Sequence, residues 1–94
     1  MANGDQDIVW EVLLRCAKEE KNELLFLKAL QAAESTFGTE SVQVGSVLGE
    51  LGAFYQSIER SKDAEECEVR AEDILRKYAA SKLENLKNLK NRED

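Results

Sequence analysis

An all-α fold follows from three properties of this 94-residue chain. Proline is absent and glycine occurs only five times, so nothing obliges the backbone to break often. Glu, Lys, Leu and Ala, all good helix formers, dominate the composition. Apolar residues recur at intervals of three and four along most of the length. The length supports one domain with a modest core. The expected architecture is two antiparallel helical hairpins, about residues 7–37 and 41–78, with a helical extension over 79–91.

The first five residues are polar and read as a frayed start. Asp5 or Asp7 can cap a first helix, because a carboxylate accepts hydrogen bonds from the free amides of the first turn. Ile8, Val9, Val12, Leu13, Cys16 and Ala17 then recur at helical spacing, with Trp10 and Leu14 widening the apolar face. This predicts a helix from about Asp7 to Glu20. Lys21-Asn22 marks a tight turn, with one bent helix through this point as the rival reading. From Asn22 to Phe37, Leu24, Leu25, Phe26, Leu27, Leu30, Ala33 and Phe37 predict a second helix, and Gly38 stands where a helix end needs a left-handed residue.

Thr39 or Ser41 caps the third helix, whose apolar residues run from Val42 to Ile58. Gly45, Gly49 and Gly52 sit inside it, each costing roughly 1 kcal/mol against alanine. Either they let a neighbouring backbone approach or they simply weaken the helix. Close packing is the favoured reading for Gly52; the other two stay open. Ser61 caps the fourth helix, with Asp63, Glu65 and Glu66 at its positive end. Ala64, Cys67, Ala71, Ile74, Leu75 and Tyr78 form its stripe. Nothing stops it at Tyr78, and Leu83, Leu86 and Leu89 continue at helical spacing, so it is expected to reach about Lys90.

The net charge of −6 is uneven. Residues 1–75 hold 7 basic and 16 acidic side chains, a balance of −9, and residues 76–94 hold 6 and 3, a balance of +3. An acidic body argues against nucleic acid, whose phosphates need concentrated positive charge. No apolar run approaches membrane-spanning length. Cys16 and Cys67 lack metal or redox spacing, and with no signal peptide at the start they read as reduced core thiols of a cytoplasmic protein.

Catalytic chemistry finds little purchase here. Histidine is absent, which removes histidine metal sites and histidine acid–base catalysis. Glu65, Glu66, Cys67 and Glu68 are successive helical residues and point in different directions, so they do not form a metal cluster. The three glycines of the third helix lack the strand, turn and lysine of a phosphate loop. No enzyme and no cofactor is expected. A small helical enzyme or ligand carrier using buried carboxylates is the remote alternative, motivated only by the many glutamates.

Shifting the chain by 42 residues places Leu51 on Val9, Tyr55 on Leu13, Val69 on Leu27 and Ala71 on Ala29. Periods of this size mark stacked supersecondary units. Residues 41–71, SVQVGSVLGELGAFYQSIERSKDAEECEVRA, resemble a tetratricopeptide repeat of the kinesin-light-chain type. Leu51, Gly52 and Tyr55 match its first helix, and Ala64 and Ala71, seven apart, match its second. Residues 29–38, ALQAAESTFG, resemble the end of such a unit. The resemblance spans about residues 7–78 and implies a right-handed stack of two hairpins. Trp10 stands where the family prefers a small residue, and Glu59 replaces a common turn glycine. Glu68 and Glu72 occupy places that are often apolar, which suits a terminal helix facing water.

The resemblance also implies a protein or peptide partner held by the first helix of each unit. Carried over, the second unit would present Ser46, Gly49, Ala53, Gln56 and Ser57, and the first Asp7, Glu11, Leu14 and Arg15. A merely solvated face is the equal alternative. Trp10 reads as core, or as an interface residue if nothing precedes the first unit. Two units make a thin core, since about three are usually needed. The long fourth helix is expected to compensate, either as a solvating cap or by joining two copies through Leu83, Leu86 and Leu89.

Overall fold

The computed structural model describes the backbone of residues 2–92 and the side chains of residues 8–86. The chain is all-α: α1 (Ala2–Glu20), α2 (Glu23–Phe37), α3 (Val42–Ser57) and α4 (Ser61–Arg92). Neighbours in sequence are neighbours in space, with α1 against α2, α2 against α3 and α3 against α4. The backbones of α1 and α3 also approach each other. None of the four helices offers an apolar stretch long enough to cross a membrane.

The helix boundaries have local causes. Lys21 takes a left-handed φ of 52°, which ends α1. The Asn22 amide then donates to the Ala17 carbonyl at 3.2 Å, the bond of a left-handed helix terminus. The Asn22 side-chain oxygen accepts from the Leu24 and Leu25 amides at 2.9 and 3.4 Å and starts α2. Two helices meet here, and the bent-helix alternative falls. Gly38, at φ 98°, closes α2 through its amide on the Glu34 carbonyl. Ser41, not Thr39, caps α3, its Oγ accepting from the Val44 amide at 3.2 Å.

Three expectations need correction. α1 runs back through Asp7 and Asp5 to Ala2, so neither aspartate is its cap. Acidic residues suit a first helical turn, and no proline stops the helix there. Ser61 is the first residue of α4 rather than its cap. The Arg60 carbonyl accepts the first α4 bond, from the Ala64 amide at 3.0 Å. The third correction concerns the repeat, whose period is 38 residues rather than 42. Glu59 has φ 64° where Lys21 has φ 52°. The Arg60 amide reaches the Tyr55 carbonyl as Asn22 reaches Ala17. The start of α4 likewise repeats the start of α2 at that interval.

Two buried clusters form the core. One joins Ala29, Ala33, Val44, Val47, Leu48, Ala71 and Ile74, with Trp10, Leu13 and Leu30 against it. The other joins Ala17, Phe26, Leu51, Tyr55 and Ala64, with Leu25 and Phe54 against it. Leu14 and Cys67 touch both and weld them together. Trp10 packs edge-on against Phe37, with ring centroids 6.1 Å apart, so it belongs largely to the core. The five positions expected to define the repeat, Leu51, Gly52, Tyr55, Ala64 and Ala71, are all buried.

The glycines of α3 divide by surroundings. A Cβ on Gly52 would lie 3.2 Å from Glu68 Cγ and 3.5 Å from the Ala64 carbonyl oxygen, so α3 and α4 approach closely at this residue. A Cβ on Gly45 would lie 3.3 Å from Ile74 Cγ2. Gly49 meets nothing within 4 Å and only weakens the helix.

Ion pairs close the edges. Arg70 of α4 binds Glu34 of α2 at 2.8 Å, and Lys77 reaches Glu40 at 3.4 Å. Beyond Tyr78 every described α4 residue is exposed, so the last turns project past the body.

Candidate partner-binding groove

α1 and α3 leave an open groove of about 530 Å³ between them, lined by Trp10, Glu11, Leu14, Arg15, Lys18, Glu19, Ser46 and Glu50. Of the positions expected to meet a partner, Glu11, Leu14, Arg15 and Ser46 are brought together here. Lys18 spans the groove to Glu50, Nζ to Oε2 at 3.3 Å. A smaller depression of about 200 Å³ adjoins it and shares Lys18 and Glu50; Ala53 and Ser57 line it with Phe26 and Phe54.

Two expected positions fit less well. Gln56 turns toward α4, donating from Nε2 to Glu68 Oε2 at 3.3 Å, and so leaves the groove. Gly49 is exposed on the same face of α3 but offers no side chain to it. Asp7 lies outside the residues whose side chains are described.

The 38-residue repeat exposes what a 42-residue shift concealed. On it, Ile8 matches Ser46, Val12 matches Glu50, Arg15 matches Ala53, and Glu19 matches Ser57. Residues at intervals of four, three and four share one helix face, so Ile8 and Val12 continue the Arg15–Glu19 stripe that borders the groove. They are 53% and 51% exposed, a cost in water that their α3 counterparts avoid. The groove itself is lined on α1 by Trp10 and Leu14 among Glu11, Arg15, Lys18 and Glu19, and Ile8 and Val12 lie beyond that lining at its edge. Sequence reasoning assigned Ile8 and Val12 to the core; only the true period moves them to the rim.

The hairpin turns lie together at one end of this groove and are locked by a polar cluster. Tyr55 Oη donates to Glu23 Oε2 at 2.6 Å. Arg60 reaches Glu23 Oε1 at 3.1 Å and Asp63 Oδ2 at 2.7 Å, and its guanidinium lies 4.6 Å from the Tyr55 ring centroid. Burial first, and the bond to Glu23 second, push the Tyr55 phenol up to about 12. These groups rigidify the stack, and each of them is partnered within the cluster.

Elsewhere the surface offers less. Both cysteines are partly buried and unpaired. Burial, followed by Asp63 and Glu66, pushes the Cys67 thiol up, away from the thiolate that makes a cysteine reactive. Among the described residues no three His, Cys, Asp or Glu side chains are placed to hold a metal ion. The depression along the outer face of α4, around Glu66, Val69 and Asp73, is lined by that helix alone and is open surface. Leu83 and Leu86, expected to join copies, are each 60% exposed, and Leu89 lies outside the described side chains. No family model, no curated protein and no solved structure matches the chain.

Proposed function

We propose that the chain is a non-enzymatic interaction module of the tetratricopeptide type that holds a peptide or partner helix in the groove between α1 and α3. The observation that carries this reading is the groove's composition. Trp10 and Leu14 lie in the groove among a line of charged groups, and the half-exposed aliphatic residues Ile8 and Val12 follow at its edge along α1, on a surface that water alone would keep polar. The resemblance of residues 41–71 to a tetratricopeptide repeat, and the small residues where α3 meets α4, support the same reading. Two unpaired thiols suit the cytoplasm as the working compartment.

The test is a peptide-display selection against the full chain, followed by titration of the recovered peptides onto variants. Val12→Asp and Glu50→Lys should each weaken binding at least tenfold, while Val69→Asp, on the outer face of α4, should leave it unchanged. Peptides that ignore the first two substitutions and lose affinity on the third would place the binding surface elsewhere and overturn the proposal.

A further inference from the structure

Two features lack a partner among the described residues: the groove, with Ile8 and Val12 exposed at its edge, and α4 beyond Tyr78. We infer that residues 79–92 of α4 dock as a helix in the α1–α3 groove of a second copy of the chain. The inference rests on the reading of the groove as a surface that holds a helix, and names its occupant.

Residues 79–92 are helical although nothing in the same chain covers the described part of them. The packed first half of α4 nucleates this segment, but with no packed face of its own it gains little from tertiary contact and leaves its apolar groups in water. Leu83 and Leu86 are the apolar groups such a face would bury. Concavity favours the groove as their acceptor, and charge agrees with it. The groove lining holds Glu11, Glu19 and Glu50 against Arg15 and Lys18, a balance of −1, within a pair of helices whose balance is −4. Residues 79–92 carry Lys82, Lys87, Lys90 and Arg92 against Glu84, a balance of +3. Trp10 and Leu14 in the groove, with Ile8 and Val12 at its edge, supply apolar surface for the leucines, and Glu11 and Glu19 the carboxylates for the lysines. The outer face of α4 is also rich in acids, but it is convex and can cover only one side of a helix.

The tail cannot reach its own groove. α4 is one continuous helix from Ser61 to Arg92 that packs against α3 and, among the described residues, does not meet α1, so docking occurs between copies. A helix about 21 Å long and about 10 Å across, half sunk in a groove, removes on the order of 400 Å² from each of the two surfaces. Reciprocal exchange of two tails doubles the contact to the roughly 1,600 Å² of a standard interface. A closed two-fold pair follows, each copy giving a tail and receiving one.

Sedimentation of the full chain tests this. A dimer is expected at low salt, weakening as salt screens the charge pairing. Leu83→Asp/Leu86→Asp and Ile8→Asp/Val12→Asp should each give monomers, with helical content checked by circular dichroism. Mixing the two variants should restore association, because one intact tail then meets one intact groove. Glu11→Lys/Glu19→Lys alters the same groove without touching an apolar contact and should shift the chain toward monomer by at least tenfold in dissociation constant. A chain that is monomeric under all conditions overturns the inference. So does a dimer that survives every groove substitution, which would mean tails pairing with tails, and so does one that survives the tail substitution. Display-selected peptides that bind the groove of a strictly monomeric chain would defeat this inference and leave the proposed function standing.

Discussion

At the scale of single residues, Tyr55 shows how one side chain ties two hairpins together. Its ring is only 6% exposed, packed in the cluster with Ala17, Phe26, Leu51 and Ala64, while its hydroxyl reaches Glu23 across the hairpin boundary. A hydrogen bond to a charged acceptor contributes more than a neutral one, and Glu23 is partly solvated, so Tyr55→Phe should cost about 1.5 kcal/mol at neutral pH. The pH dependence has a defined sign. Because the folded phenol titrates near 12 rather than 10, the folded chain holds that proton more tightly than the unfolded chain. The contribution is complete below pH 10 and is lost as pH rises toward 12. Urea denaturation of both forms at pH 8 and pH 11.5 should show the gap narrowing at the higher value; a constant gap would mean that the folded phenol does not hold its proton more tightly than the unfolded one. Tyr55 was legible from sequence as a packing residue. Its partners were not, because Glu23 and Arg60 are distant in sequence or read as ordinary surface charges.

At the scale of elements, the helices are defined by local chemistry and the register between hairpins by packing. Gly38, Asn22 and Ser41 act on amides within a few residues of themselves, so the ends of α2 and the start of α3 could be read directly. The period could not. The turns at Lys21 and Glu59 use left-handed residues other than glycine, which removes the marker that would have aligned them, and matching by residue class alone then settled four residues away. The glycines of α3 carry the same lesson, since one dimension of sequence does not say which of them faces a neighbour. Gly49→Ala should stabilise the chain by about 0.5–1 kcal/mol, because alanine is the better helix former and nothing stands near the added methyl. Gly45→Ala should gain nothing or lose stability, since its methyl would press on Ile74, which is fully buried and has nowhere to move. Chemical denaturation of the two variants side by side decides the matter, and equal gains at both sites would remove the case for close packing at Gly45.

At the scale of the whole molecule, a thin two-hairpin body carries one helix about twice as long as its neighbours. Its first half buries one stripe, Ala64, Ala71 and Ile74, against the body, and beyond Tyr78 every described residue is exposed. The sequence announced the length of this helix through its unbroken leucine spacing. It could not announce the groove, because Ile8 and Val12 look like core residues until the fold turns them outward. Local stability should follow the packing: amides of an uncovered helix open at little cost, whereas those beneath buried contacts open near the global free energy. Hydrogen exchange should therefore show slow amides from Ala64 to about Lys77. On the inferred exchange of tails, protection beyond Tyr78 should grow with protein concentration and fall with added salt, because a second copy then covers that segment. Protection around Ile8–Val12 should rise in step, as the tail of one molecule closes over the groove of the other. A tail equally protected at every concentration would mean that its own sequence holds the helix, and rapid exchange at all concentrations would mean that no second copy binds it.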